Sequence, residues 1–193
     1  MRIISGIKRG MKLLPPSGDT TRPIIDRVKE SIFDVLYKYN LIENRLVADL
    51  FCGTGSFGLE ALSRGAKRAV FVDSDKGAIE ILKKNIAKAD FTAQSDVICG
   101  NAFKVGGPNW SDEKFSLIFV DPPYAMSVDT GEKSQLAELL LLLVQQVAMD
   151  GLVIVRTEKG VKLLDSYGDL RIIDNRIWGR MSVNFLALRK NDE

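Results

Sequence analysis

Asp121-Pro122-Pro123-Tyr124 closes the apolar run Ile118-Phe119-Val120, and the residue types in that order suit one kind of chemistry. Proline has no backbone N–H, so Pro122 and Pro123 cannot extend a strand ladder; they form a rigid corner whose carbonyl oxygens stay free as acceptors. A carboxylate and a carbonyl side by side, under an aromatic ring, fit a flat base that carries an exocyclic amino group. The two acceptors take the amino hydrogens and the ring stacks on the base. An aromatic amine is a poor nucleophile because its lone pair is delocalised, and holding it between two acceptors favours the geometry in which that pair attacks. The bland alternative is an ordinary strand-ending turn, where Asp and Pro are common.

Upstream, Val47-Ala48-Asp49-Leu50-Phe51-Cys52-Gly53-Thr54-Gly55-Ser56-Phe57-Gly58 reads as a strand, a glycine-rich turn and a helix opening at Ser56 as N-cap. A second apolar run, Ala69-Val70-Phe71-Val72, ends at Asp73. This is a βαβ unit with an acid at the tip of its second strand, where a ribose diol is held. The Gly53-x-Gly55-x-x-Gly58 spacing also matches a dinucleotide fingerprint, which makes a nicotinamide oxidoreductase a rival. Asp49 argues for a different ligand. A carboxylate at the mouth of the loop repels a pyrophosphate but suits S-adenosylmethionine, whose methionine half carries an ammonium and a sulfonium.

The elements needed to position these residues are legible in the hydrophobic periodicity. Strands are expected near 46–50, 69–73, 95–99, 115–120 and 151–156, alternating with helices near 57–64, 76–89 and 133–148, and followed by strands near 170–174 and 182–188. Residues 26–39 place Val28, Ile32, Val35, Leu36 and Tyr39 on one helical face. Strict alternation predicts an α/β, Rossmann-like fold: a mostly parallel seven-stranded sheet with helices on both faces. Ligands bind such a sheet at the carboxyl ends of its strands, where Asp49, Asp73, Asn101 and Asp121 all fall. A small amino-terminal β-hairpin is expected from Arg2–Ser5 and Met11–Leu14 across a turn flanked by Gly6 and Gly10. The division is therefore a basic hairpin arm over 1–20 and a catalytic domain over 21–193.

The chain of 193 residues carries 27 Lys and Arg against 25 Asp and Glu, a net charge of +2, so any nucleic-acid surface has to be local. Arg2, Lys8, Arg9 and Lys12 precede the first acid, and Arg22 and Arg27 follow soon after; they are the candidate RNA contacts, the plain alternative being a solvated arm. With no histidine present, proton handling falls to carboxylates, tyrosine or water, and a catalytic zinc site is not expected. Cys52 and Cys99 read as reduced small hydrophobes of a cytoplasmic protein. The apolar run Leu139–Val144 is far short of the roughly 20 residues that cross a bilayer.

On these blocks the chain resembles class I S-adenosylmethionine-dependent methyltransferases, and more closely the RsmD-type bacterial family that methylates the N2 atom of guanine 966 in 16S ribosomal RNA. The similarity rests on Met1-Arg2-Ile3-Ile4-Ser5-Gly6, Arg9-Gly10-Met11-Lys12-Leu13, Arg22-Pro23-x-x-Asp26-Arg27-Val28-Lys29-Glu30, Asp49 through Gly55, Gly58 through Ala66, and Asp121-Pro122-Pro123-Tyr124. It departs from the family pattern at Ile24, Asn101 and Trp178. The resemblance implies that Asp49, Phe51, Gly53, Gly55, Gly58, Asp73, Asn101 and Ala102 hold S-adenosylmethionine and that Asp121, Pro122, Pro123 and Tyr124 receive the base. It further implies 16S rRNA in the assembling 30S subunit as partner, with the protein a monomer and no metal involved. A DNA amino-methyltransferase shares the Asp-Pro-Pro-Tyr signature but needs room for a target-recognition insert. A glutamine-N5 methyltransferase of release factors usually carries Asn in place of Asp121. A non-catalytic RNA-binding assembly factor is the reading from outside enzymology.

Overall fold

The computed structural model describes residues 1–15, 26–108 and 112–189. Arg22, Pro23 and Ile24, and the boundary placed at 20/21, lie outside the described residues. After α1 (Asp26–Tyr37) come β1 (Leu46–Leu50), α2 (Ser56–Ser63), β2 (Arg68–Asp73), α3 (Lys76–Ala89) and β3 (Ser95–Cys99). Next are α4 (Ala102–Val105), β4 (Phe115–Val120), α5 (Gln135–Val144) and β5 (Val147–Glu158). β6 (Ser166–Tyr167), β7 (Leu170–Trp178) and β8 (Met181–Leu188) complete the chain.

The strands form one sheet in the order β3-β2-β1-β4-β5-β8-β7-β6. β1 to β5 run parallel, and β8, β7 and β6 join antiparallel at the far edge. The expected count of seven becomes eight because Gly168, at φ 59°, folds the chain back so that Tyr167 pairs with Leu170. A two-residue strand is too short to show alternation. α5 is shorter than the expected 133–148, since the Ser134 side chain caps it by accepting from Ala137 N–H and β5 already begins at Val147.

Both faces of the sheet are covered, as the near-continuous apolar runs of β1 and β4 require. On one face Val47, Phe71, Phe119, Ile154 and Phe185 pack with α1, α2, α3 and the amino-terminal hairpin. There the Phe57 and Phe119 rings stack at 4.6 Å, with Phe33 at 5.6 Å from Phe119. On the other face Ala48, Ile118, Val153 and Leu186 meet α4 and α5. Each such buried Val, Leu, Ile or Phe side chain stabilises the fold by roughly 1.5–3 kcal/mol before entropy is counted.

The hairpin is a minimal one: a single Arg2–Lys12 bridge flanked by Ile3 N–H to Met11 O at 3.0 Å and Gly10 N–H to Ile3 O at 2.9 Å. It lies flat on the domain, with Ile3 and Leu13 in the same core as α1 and α2. Its first strand runs alongside α2. Ile4 and Ser5 donate their N–H groups to Glu60, and Ile7 N–H reaches Ser63 O at 2.8 Å. Gly6, at φ 81°, permits this approach, since a Cβ there would sit 1.8 Å from Ser63 O.

Lys29 is the hub of this packing. Its ammonium, wholly buried, donates to Arg2 O at 2.7 Å and lies 3.2 Å from an equally buried Glu60 carboxylate. Glu60 also accepts from Arg64 Nε at 2.8 Å. Burial pushes the Lys29 pKa down and the Glu60 charge pulls it back up. Replacing Glu60 by alanine leaves that ammonium without its carboxylate and is expected to cost about 3–5 kcal/mol, read by urea unfolding. Adding Lys29→Met to Glu60→Ala should recover part of the loss, because an apolar side chain needs no partner.

Candidate active site

Asp49, Asp73 and Asp121 stand at the carboxyl ends of β1, β2 and β4, three neighbouring strands in the order β2-β1-β4. The chain leaves β1 through Phe51, Gly53 and Gly55, all left-handed at φ 58°, 52° and 89°, a run of reversals that carries it into α2. Ser56, expected as the N-cap, is the first helical residue instead; Gly55 occupies the cap and makes no side-chain bond. Asp49 takes over that work from nine residues back, its Oδ2 accepting from Gly58 N–H at 2.8 Å. Gly58 itself is required by packing, since a Cβ would fall 2.3 Å from the Phe71 ring. A Cβ on Gly55 would meet Leu82 at 2.4 Å, whereas one on Gly53 would meet nothing within 4 Å.

The second Asp49 oxygen, Oδ1, is buried with no hydrogen-bond partner. Burial raises the carboxyl's pKa well above the ordinary carboxylate range, the Gly58 bond pulls it down, and the charges of Asp121 and Asp73 push it up further. A buried acceptor in that state calls for a cationic donor, which an α-amino acid ammonium supplies.

Asp73 is committed to the loop as well. Its Oδ2 accepts from Gly53 N–H at 2.7 Å and its Oδ1 from Asp75 N–H at 2.9 Å, leaving each oxygen further acceptor capacity for a diol. Asn101 caps α4, a helix too short to show periodicity in the sequence, by accepting from Phe103 N–H through the same carbonyl oxygen expected to meet adenine. Ala102 is buried behind it. The Phe51 ring meets Phe103 edge-on at 4.7 Å, and Gly100 N–H bonds Asp73 O, so Phe51, Asp73, Asn101 and Ala102 share one side of the loop.

Asp121 follows β4 directly, with Pro122 buried, Pro123 exposed and Tyr124 half-buried at the start of a single 3₁₀ turn. Pro123 O accepts from Met126 N–H, while Pro122 O accepts no hydrogen bond among the described residues. One charged neighbour is not among the residues expected from the sequence: Arg156 of β5, whose Nε donates to Asp121 Oδ1. Val120 and Val155 are register partners, which sets Asp121 and Arg156 side by side. Burial raises the Asp121 pKa, and the Arg156 guanidinium opposes it. The signal lay in Val153-Ile154-Val155-Arg156, a charge ending an apolar run at the height where Asp121 ends its own.

Among the described basic candidates, Arg2 and Lys12 face each other as the hairpin's bridge partners while Lys8 and Arg9 occupy its tip. Arg2 pairs with Asp26 at 2.8 Å, Lys8 lies over the Phe91 ring at 5.9 Å, and Arg9, Lys12 and Arg27 are exposed. Lys8 and Arg9 sit at the hairpin tip beside Ser63, the end of α2 remote from Asp121. No cluster that could hold a metal ion is found among the described residues, and none of their helices is long and apolar enough to cross a membrane.

Residues 1–187 match the family model described as Conserved hypothetical protein 95. Bacillus subtilis YlbH is 35% identical over 187 residues, covering 95% of this chain and 96% of that protein. The Haemophilus influenzae protein named ribosomal RNA small subunit methyltransferase D is 34% identical over 165 residues, with 85% and 82% covered. Among solved structures, Escherichia coli yhhF superposes with a TM-score of 0.78 at 28% identity over 99% of both chains. A methylase of H. influenzae gives 0.73 at 30% identity over 98% of both. Motif, sheet order and likeness over the whole length agree, and the chain belongs to this family, a methyltransferase with the Rossmann-like class I fold.

Proposed function

We propose that the protein transfers a methyl group from S-adenosylmethionine to the exocyclic N2 of a guanine in 16S rRNA, the guanine 966 type, acting as a cytoplasmic monomer on the assembling small subunit. The observation that carries this reading is the pairing of a carboxylate, Asp121, with an unengaged Pro122 carbonyl beside the Tyr124 ring, at the mouth of a loop whose Asp49 lacks a cationic partner. The RNA target follows the name of the H. influenzae relative. S-adenosylmethionine supplies an electrophilic methyl on a sulfonium centre. Asp49 Oδ1 takes the ammonium of the methionine half, Asp73 the ribose hydroxyls, and Phe51, Asn101 and Ala102 line the adenine; Gly53 leaves the space open above the turn. Tyr124 stacks the extruded guanine, while Asp121 and Pro122 O accept its two N2 hydrogens. Alignment supplies most of the rate, with effective molarities up to ~10⁵ M or more open to well-oriented groups. Labelled methyl transfer to small subunits from a strain lacking this gene, followed by mass mapping of the rRNA, tests the reading; a label on protein or on no guanine rejects it.

Asn in place of Asp121 keeps an oxygen acceptor without charge. Asp121→Asn should therefore lower kcat by more than it weakens cofactor binding, by about tenfold or more, as single-turnover kinetics beside calorimetry will show.

The Asp49 assignment has a pH signature. Because burial and like charges raise its pKa in the free protein, and an ammonium favours the ionised form, binding expels a proton wherever Asp49 is protonated beforehand. The affinity for S-adenosylhomocysteine should rise with pH from the ordinary carboxylate range, about pH 4, up to the raised pKa and then level off. Calorimetry in buffers of different ionisation enthalpy should register the released proton in wild type and none in Asp49→Asn.

For RNA docking we propose the basic set Arg2, Lys8, Arg9, Lys12, Arg22 and Arg27. Lys8, Arg9 and Lys12 replaced together by alanine should weaken binding to small subunits and flatten its salt dependence, by somewhat under about one unit of log–log slope for every phosphate that is no longer neutralised. S-adenosylmethionine affinity should stay unchanged in the triple variant.

A further inference from the structure

We infer that Arg156 is a positioning residue for the transfer: it keeps Asp121 ionised and aims its free oxygen at the target amine, so that Asp121 orients the nucleophile and does not remove its proton. This rests on the reading of Asp121 proposed above. Both side chains are nearly buried, 14% exposed for Arg156 and 15% for Asp121, and Arg156 Nε engages only Oδ1. Oδ2 remains for an N–H of the base. The pair is also fixed by the backbone, because Val120 and Val155 are register partners in adjacent parallel strands and Arg156 is held from its other side by pairing with Val183.

The surroundings of Asp121 explain why a cation is needed there. From β1 the buried Asp49 carboxyl faces it, each acid disfavouring the other's ionised form; beyond Arg156 lies the apolar Val183 of β8, and Phe33 and Phe57 cover Phe119 beneath it with rings. Tyr124 is the only ionisable group on its own short turn. Without Arg156, burial alone would favour the neutral acid still further, and a protonated carboxyl offers a donor where the amine needs an acceptor.

The step balances without a basic Asp121. The N2 lone pair forms the new N–C bond as the C–S bond breaks, and its electron pair returns to sulfur as a neutral thioether. The surplus proton on the methylated nitrogen goes to water. Burial leaves the Asp121 pKa above the ordinary carboxylate value even beside the guanidinium, but one oxygen is engaged by Arg156, and the charge favours the positive nitrogen while that proton is present.

The test uses the full-length protein with Arg156→Met and Arg156→Lys, each checked for folding by circular dichroism. The Asp121 carboxyl carbon is titrated by ¹³C NMR in the free protein, its signal assigned by loss in Asp121→Asn, and single-turnover methylation of small subunits is followed against pH. In Arg156→Met the Asp121 midpoint should rise by about one pH unit or more, and the acid limb of the rate should move up with it. The loss of rate should then be larger by about tenfold or more well below the wild-type midpoint than well above the new one, since one unit is a factor of ten in the ionised fraction there. Arg156→Lys should hold the midpoint near wild type yet lose rate at every pH, because a point charge does not direct the carboxylate as a planar fork does. An unmoved midpoint in Arg156→Met overturns the inference. A moved midpoint with wild-type rates at all pH values overturns it too, reducing the ion pair to a staple between strands. A moved midpoint in a protein whose wild type methylates no rRNA overturns the functional reading instead.

Discussion

A lysine ammonium with no access to water has to be matched, and the matching of Lys29 by Glu60 governs how the first third of the chain is assembled. The carboxylate cannot turn away, because it also takes two hairpin amides and the Arg64 guanidinium. The ammonium cannot either, since it holds Arg2 O and approaches Ser56. Hairpin, α1 and α2 are thus tied by charge-assisted bonds whose loss would strand an ion in the interior. α2 in turn carries Gly58, the amide that seats Asp49, so the orientation of the site's innermost carboxylate depends on a salt bridge at Glu60, about half a helical turn further along the same helix.

The carboxyl edge of the sheet is electrostatically unfinished. Asp49 is a buried carboxyl and Asp121 a nearly buried one at the ends of adjacent strands, and Arg156 is the only cation that pairs with either among the described residues. Asp73 is spent partly on the loop amides. Such an edge gains from a ligand that brings positive charge, and a phosphate-bearing dinucleotide would add to the repulsion. The preference for one cofactor class over the other thus comes from net charge at three strand ends, and the glycine spacing does not distinguish them.

Most of the architecture was legible because it is written in local periodicity. The strands near 46–50, 95–99 and 115–120 appear where the apolar runs put them, and 76–89 is helical to the residue. What escaped depends on partners distant in sequence. Ser56 looked like a cap because capping is usually local, but Asp49 reached over it. Arg156 and Asp121 are 35 residues apart, and only the β4–β5 register brings them together. Lys29 and Glu60 stood inside recognisable blocks without showing that they were partners, since two charged residues on helical patterns read as solvent-facing until the helices are packed.

The first hairpin strand runs in the same direction as α2, which puts the Lys8–Arg9 tip at one rim of the molecule and Tyr124 at the other. α2 alone, eight residues and about 12 Å long, lies between the two rims. Any single polyanion that touches both must bend around that thickness, as a workpiece fits between calliper jaws. A short straight strand lying on one face meets one jaw or the other. Simultaneous contact with both rims is therefore reserved for a ligand with a folded shape of its own.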